Sequence, residues 1–325
     1  MHNLSSVVIL PEAASTPIGA EVYRGLTDVP KHLSPWLFYD ERGSQLFEAI
    51  TRLPEYYLTR TERGIFAHNA IEILESASCL PLTIVELGAG TAEKTGLLLQ
   101  AAVRRQGAVD YVPIDVSETA LDAAKQHLEA EIPGVRVAAR VADYTQGIAE
   151  IPSPGRRRMV LYIGSSIGNF EPADGVRVLR EVRKRLVPGD LLLLGVDHVK
   201  DAPTLLRAYD DAAGVTAAFN KNMLVRINRE LGANFNPRLF RHRAKWNAER
   251  SRIEIYLDSV IAQEVSIPAL DLEVNFARGE AIHTENSYKF TPESIGAIIE
   301  RAGFAVTQRW TDEQEWFGVY LAASR

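Results

Sequence analysis

The chain has 325 residues, with 36 Lys and Arg against 42 Asp and Glu, a formal net charge of -6. That length buries a sizeable core in one large domain or two moderate ones. No basic run stands out and no apolar stretch approaches a bilayer's thickness, which argues against nucleic-acid binding and against membrane insertion.

From the N-terminus, the first apolar patch covers residues 4–10. No basic flank precedes it and Pro11 and Glu12 interrupt it, so it is not read as a signal peptide. Up to about residue 58 the chain carries helical stretches and two aromatic clusters, Trp36-Leu37-Phe38-Tyr39 and Tyr56-Tyr57. The simplest reading is an arm packed over another domain. Pro54 breaks the pattern, and Thr59 with Glu62 three residues on reads as a capping box that opens a helix. Ile65, Phe66, Ile71 and Leu74 then fall roughly at helical spacing. Cys79 is the only cysteine, which precludes an intramolecular disulfide, suits a reducing cytosol and reads as inert packing.

From Thr83 the rhythm becomes strand, helix, strand, helix. Ile84-Val85-Glu86-Leu87 ends in a glycine turn, Gly88-Ala89-Gly90-Thr91, and residues 92–99 read as the start of a helix. The second strand, Tyr111-Val112-Pro113-Ile114, ends at Asp115, and a helix is expected over 118–131. Pro133-Gly134 turns the chain into a third strand, 135–141, ending at Asp143. A fourth apolar run, 159–163, ends in Gly164-Ser165-Ser166-Ile167-Gly168-Asn169. A helix over 172–186 stops at Pro188-Gly189-Asp190, and 191–196 is a fifth strand, apolar throughout. Short apolar runs alternating with helices indicate a parallel sheet covered on both faces.

After Asp197 the pattern changes. Helices are expected over 204–211 and 216–231, followed by a polar loop, 232–237. Alternating segments follow, Arg252-Ile253-Glu254-Ile255-Tyr256-Leu257 and Leu272-Glu273-Val274-Asn275-Phe276, with Arg278-Gly279 as a hairpin turn into the next strand. This reads as an inserted α+β unit. Thr291-Pro292 opens another helix, Gly303 closes it, and 304–309 with 316–322 form a last hairpin. These elements complete a seven-stranded mixed sheet. The expected division is a core over 59–198 and 288–325, and a second domain over 1–58 and 199–287.

A strand, a tight glycine turn and a helix N-terminus make the nucleotide-binding corner of a doubly wound α/β sheet. A dinucleotide fingerprint wants G-x-G-x-x-G, but Glu93 takes the third glycine position. It puts negative charge where a pyrophosphate would sit. A ligand without phosphates, such as S-adenosylmethionine (SAM), fits better. Asp115 stands about 25 residues after the glycines, near the usual spacing for an acid that takes ribose hydroxyls, and Asp143 is placed to accept from an adenine amino group. The same two aspartates would also serve as caps of the helices that follow. A nicotinamide-dependent oxidoreductase is the alternative of another class, and the missing glycine argues against it. The seven histidines show no metal-ligand spacing, and His68, His198, His242 and His283 read as surface or internally satisfied residues.

Several blocks carry a further signal: Trp36-Leu37-Phe38-Tyr39-Asp40, Ile50-Thr51-Arg52-Leu53-Pro54-Glu55-Tyr56-Tyr57, Glu86-Leu87-Gly88-Ala89-Gly90-Thr91, the segment 164–169, the segment 207–216, Leu270-Asp271-Leu272-Glu273-Val274 and Thr284-Glu285-Asn286-Ser287. Along nearly its whole length the chain resembles the SAM-dependent histidine Nα-methyltransferases of the ergothioneine pathway. The resemblance implies a class I methyltransferase core, Rossmann-like, and a substrate-binding domain made from the N-terminal arm and the insertion, with histidine held between them. It implies SAM contacts from Gly88, Lys94, Asp115, Asp143 and Tyr144, the last in place of an expected phenylalanine. Without it, Lys94 would read as a solvated helix charge. It also implies that Tyr56, Asn169 and Tyr209 hold the amino-acid head, with Gly164 and Ser166 lining the same pocket. Ser166 stands where threonine is expected and keeps the hydroxyl.

By the same resemblance, Glu285 and Ser287 engage the imidazole. A carboxylate accepts one ring N–H while a hydroxyl serves the other nitrogen. An indole has one donor and no acceptor, which disfavours the in-class alternative, methylation of tryptophan or a derivative. Ile255 is expected to face the pocket where methionine is usual, an apolar swap of similar size. Tyr39 and Tyr56 are candidates for a proton-exit path, or else packed rings with satisfied hydroxyls. The expected activity is trimethylation of the α-amine of L-histidine to hercynine, by a cytoplasmic monomer that needs no metal.

Overall fold

Two largely apolar runs, Leu82–Leu87 and Leu191–Asp197, have no solvent-exposed face, and both lie fully buried inside one sheet. The computed structural model describes residues 11–142 and 156–325. It divides the chain into two units, Tyr57–Lys200 with Tyr288–Arg325, and Met1–Tyr56 with Asp201–Ser287. In chain order the first unit contributes β1 (Leu82–Leu87), β2 (Val109–Asp115), β3 (Val135–Val137), β4 (Arg140–Val141), β5 (Arg157–Tyr162) and β6 (Leu191–Asp197). Then come β7 (Phe240–Asn247), β8 (Arg252–Ser259), β9 (Gln263–Ile267), β10 (Leu272–Phe276) and β11 (Ala281–Tyr288). The chain ends with β12 (Phe304–Thr311) and β13 (Phe317–Ser324).

In the first unit the strand order is β12-β13-β6-β5-β1-β2-β3, with β4 pairing to β2 off that path. The neighbours among β1, β2, β3, β5 and β6 run parallel, and β13 runs antiparallel to both β6 and β12. This is the Rossmann-like, mixed seven-stranded arrangement expected from the sequence, with one difference. The expected third strand is interrupted, as β3 stops at Val137 and β4 resumes at Arg140. Since β1 lies between β2 and β5, the chain reverses its direction of winding there. The loops after β1 and β5 therefore open side by side at the switch point where such sheets bind ligands.

Side-chain alternation decides which helix meets which face. Val85 and Leu87 face a core shared with Val176 and Leu179 of helix Pro172–Lys184 and with Ile295 and Ile299 of helix Pro292–Arg301. Glu86 points the other way, towards helix Thr95–Gln106, where Thr95 Oγ1 donates to it at 2.7 Å. Helix Tyr57–Ala77 packs against Thr95–Gln106 and β13. It begins before Thr59, so the capping box predicted there does not form. Glu62 is turned inward instead, on the same stripe as Leu58, Ile65 and Phe66. Ile71 falls off that stripe and is exposed, and Cys79 is exposed rather than packed. The helix after the glycine turn starts at Thr95, not Ala92, because positive φ continues through Ala92 at 54°.

This unit is made from two separate segments, and one carboxylate gathers their ends. Asp197, at the end of β6, accepts from Tyr57 Oη at 2.9 and 2.8 Å, from Lys200 Nζ at 2.5 Å and from Lys289 Nζ at 2.9 Å. Burial works to raise its pKa, but the ammonium groups of Lys289 and Lys200 outweigh that and leave it below the usual value. Burial also pushes Lys200 down to about 8, against the pull of Asp197.

In the second unit, helix Glu41–Thr51 packs on helix Val215–Leu231. Two small sheets accompany them, ordered β11-β8-β7 and β10-β9. The turn at Arg278-Gly279 is therefore not the hairpin expected, because β10 and β11 belong to different sheets. The Gly279 N–H donates to Ser259 O at 2.7 Å, and the Ser259 N–H donates to Glu280 O at 2.8 Å, which carries the chain onto β8. Among the described residues no helix is long and apolar enough to cross a membrane.

Candidate active site

The loop after β1 is built for close approach. Gly88 and Gly90 hold φ of 67° and 52°, a region that favours glycine. The Gly88 N–H donates to Ile114 O at 2.8 Å, tying the loop to β2. Asp115, at the end of β2, accepts from Gly90 N–H at 3.0 Å and from Ser117 N–H at 2.9 Å. The helix that follows is capped by Ser117, so Asp115 is a brace of the glycine loop rather than a helix cap. A Cβ added to Gly90 would meet no atom within 4 Å, so space lies open above the loop. Asp143 and Tyr144 lie outside the described residues.

Beneath the loop sits Glu86, which accepts from Thr95 Oγ1 and from Tyr111 Oη. Burial pushes its carboxyl up to about 7, against those two hydrogen bonds. Sequence reading gave it no part beyond the strand pattern.

Next to this, the loop after β5 brings Gly164 (φ 77°) and Ser165 (φ 61°) into left-handed conformations before a tight turn, Ser166–Asn169. A Cβ on Gly164 would lie 3.2 Å from Lys94 Nζ and 3.8 Å from Ser166 Oγ, so these three predicted residues meet. Ser166 Oγ donates to Ile163 O at 3.3 Å, and Asn169, half-buried, ends the turn. Gly168 lies against the backbone of Tyr288, where a Cβ would come within 2.8 Å of the carbonyl oxygen. The buried Glu62 joins the group by accepting from Gly164 N–H at 2.9 and 3.1 Å and pairing with Lys94. Lys94 is thus held in an ion pair and is not the solvated charge that its local sequence suggests. Glu62 is a functional candidate that sequence reasoning missed. The available signal was an acid on the apolar stripe formed by Leu58, Ile65 and Phe66.

In the other unit, residues far apart in the chain converge. Tyr209 Oη and Ser287 Oγ are hydrogen-bonded at 2.8 Å, although 78 positions separate them. The ring of Tyr56 meets that of Tyr209 edge-on, with centroids 6.2 Å apart. Tyr56 in turn meets Phe47, and Tyr39 packs on Phe47 and Phe219, so Tyr39 stands one ring further out and is part-exposed. Behind Tyr209, His242 Nε2 bonds its carbonyl oxygen at 2.8 Å, while Asn220 Nδ2 bonds His242 Nδ1 at 2.9 Å. Ile255 is buried on β8, where its carbonyl accepts from Thr284 Oγ1 at 3.2 Å. Glu285 is half-buried on β11, two positions before Ser287. Among the described residues no group of three or more His, Cys, Asp or Glu is arranged to hold a metal ion.

Comparison with known proteins follows the same lines. The family described as "Histidine-specific methyltransferase, SAM-dependent" matches residues 18–324. The chain is 47% identical over 311 residues to the histidine N-alpha-methyltransferase of Mycolicibacterium smegmatis, covering 96% of each. It is 45% identical over 312 residues to the protein of that name from Mycobacterium tuberculosis, again covering 96% of each. A more distant relative is ergothioneine biosynthesis protein 1 of Schizosaccharomyces pombe, 30% identical over 88% of this chain and 38% of that longer one.

Proposed function

The chain belongs to the family of SAM-dependent, histidine-specific methyltransferases, and on that premise we propose that it methylates the α-amine of L-histidine to the trimethylated betaine hercynine, for ergothioneine biosynthesis. In this reading Gly88, Lys94 and Asp115 hold SAM, with Asp143 and Tyr144. The residues present suit that ligand. Space lies open over Gly90, and Asp115, with two backbone N–H groups already bound, keeps lone pairs for hydroxyl donors. SAM supplies an electrophilic methyl group on a sulfonium.

The chain's own residues supply position. Tyr56, Asn169 and Tyr209 hold the amino-acid head, Gly164 and Ser166 line the pocket, and Ile255 gives it an apolar wall. Glu285 accepts one imidazole N–H and Ser287 serves the other ring nitrogen. The Tyr209–Ser287 hydrogen bond is the observation that most supports this assignment. A hydroxyl both donates and accepts, so a serine fixed in place by Tyr209 is chemically suited to a ring nitrogen. The amine needs only to lose its ammonium proton, for which Tyr56 and Tyr39 form an inner and an outer step. Alignment then does most of the catalysis, worth roughly 7–11 kcal/mol in well-oriented systems. The same reading carries a cytoplasmic monomer that works without a metal.

Calorimetry with Glu285→Ala tests the assignment. Histidine binding is expected to weaken by about 10- to 100-fold, as the loss of a charge-assisted hydrogen bond implies, with SAM binding nearly unchanged. Equal loss of both would remove Glu285 from the imidazole site, and a wild-type protein that binds no SAM would overturn the whole reading.

A further inference from the structure

Glu62 has no part in the reading above, yet its surroundings are specific. Its side chain is fully buried, so its charge must be satisfied locally. Both oxygens accept from Gly164 N–H, and Lys94 pairs with one of them. Room for it comes from Gly195 on β6, where any Cβ would run into Glu62 Oε1. Lys94 itself breaks a local rule. It occupies the N-cap position of helix Thr95–Gln106 without making a side-chain cap. Ser, Thr, Asp or Asn is preferred there, and a cation opposes the helix dipole. Gly164, the other partner, holds a φ of 77°. Helix stability explains neither feature. Both follow if an ammonium and a loop N–H are required at these points and Glu62 keeps them there.

We propose that Glu62 is a positioning residue for methyl transfer, its carboxylate setting Lys94 on the SAM side and the Gly164 loop on the histidine side from one buried point. This rests on the assignment of Lys94 to SAM and of Gly164 to histidine. The two contacts separate chemically. Glu62→Gln keeps an acceptor for Gly164 N–H but gives up the ion pair, whereas Glu62→Ala gives up both.

Three measurements on the full chain decide the matter: SAM affinity by calorimetry, the histidine KM at saturating SAM, and thermal melting. Glu62→Gln is expected to raise the SAM Kd about tenfold, the scale of one charge-assisted hydrogen bond, with the histidine KM changed less than about threefold. Glu62→Ala is expected to raise both. In a Lys94→Met background, Glu62→Gln is expected to add less than about twofold to the SAM Kd, because paired residues are not additive. A folded Glu62→Gln protein with wild-type SAM affinity would overturn the proposal, as would additive effects of Glu62→Gln and Lys94→Met. So would a lowered melting temperature with unchanged Kd and KM, the mark of a purely structural residue. If Glu62→Ala does not fold, the Gln and Met variants still decide. A wild-type enzyme that binds SAM but methylates a different amino acid contradicts the substrate assignment and leaves the Glu62–Lys94 coupling to be read on its own.

Discussion

At His242 the partners of the ring fix its protonation. The Tyr209 carbonyl only accepts, so Nε2 carries the proton, and the Asn220 amide nitrogen only donates, so Nδ1 is bare. Burial lowers the His242 pKa from its ordinary value in keeping with that neutral form. Below about pH 6.5 the unfolded chain therefore takes up a proton that the native protein does not. The stability this residue contributes is present above that pH and is lost as the pH falls through the lowered native value. His242→Gln keeps a donor for the Tyr209 carbonyl and removes the titration. Denaturation at pH 7.5 and 5.5 is expected to show wild type losing its advantage over the variant at the lower pH. Parallel losses in the two proteins would contradict it. Single residues of this kind were poorly legible in the sequence. Glu62 looked like half of a capping box and Lys94 like a solvated charge, because a local pattern carries no record of a partner 32 positions away.

Elements were more legible than residues, for a physical reason. A strand buried on both faces needs a largely apolar run, and β1 and β6 are such runs, interrupted only by Thr83 and Glu86 in β1 and by Asp197 at the end of β6. Turn chemistry was half legible. The sequence Arg278-Gly279 does turn the chain, but turn residues set a direction and not a partner, and β11 pairs with β8 instead of β10. The gathering of charges on Asp197 left little local trace, since Lys200 stands three positions on but Tyr57 and Lys289 come from distant parts of the chain. It yields a prediction at this scale. Asp197→Asn removes the charge that two buried ammonium groups share, and breaking a buried pair from one side costs about 3–5 kcal/mol. Urea denaturation is expected to show a loss of that size. A loss below about 1 kcal/mol would mean that other contacts hold the segment ends.

Over the whole molecule, the chain leaves one unit after Lys200 and returns to it at Tyr288. The proposed donor side rests on short-range signals, because the glycine loop, Glu93 and Asp115 lie within two neighbouring strand–helix turns. The acceptor side does not. Tyr56, Tyr209 and Ser287 meet only after folding, and nothing in their spacing announces it, so resemblance alone pointed to them. The central claim, that these residues select histidine as the methyl acceptor, is tested most directly by incubating the purified protein with SAM and each of the common amino acids in turn. Mass gain of the amino acid is followed together with release of S-adenosylhomocysteine. Histidine is expected to be methylated through to the trimethylated product, with tryptophan and the others left unchanged. Methylation of a different amino acid, with histidine untouched, would contradict the account.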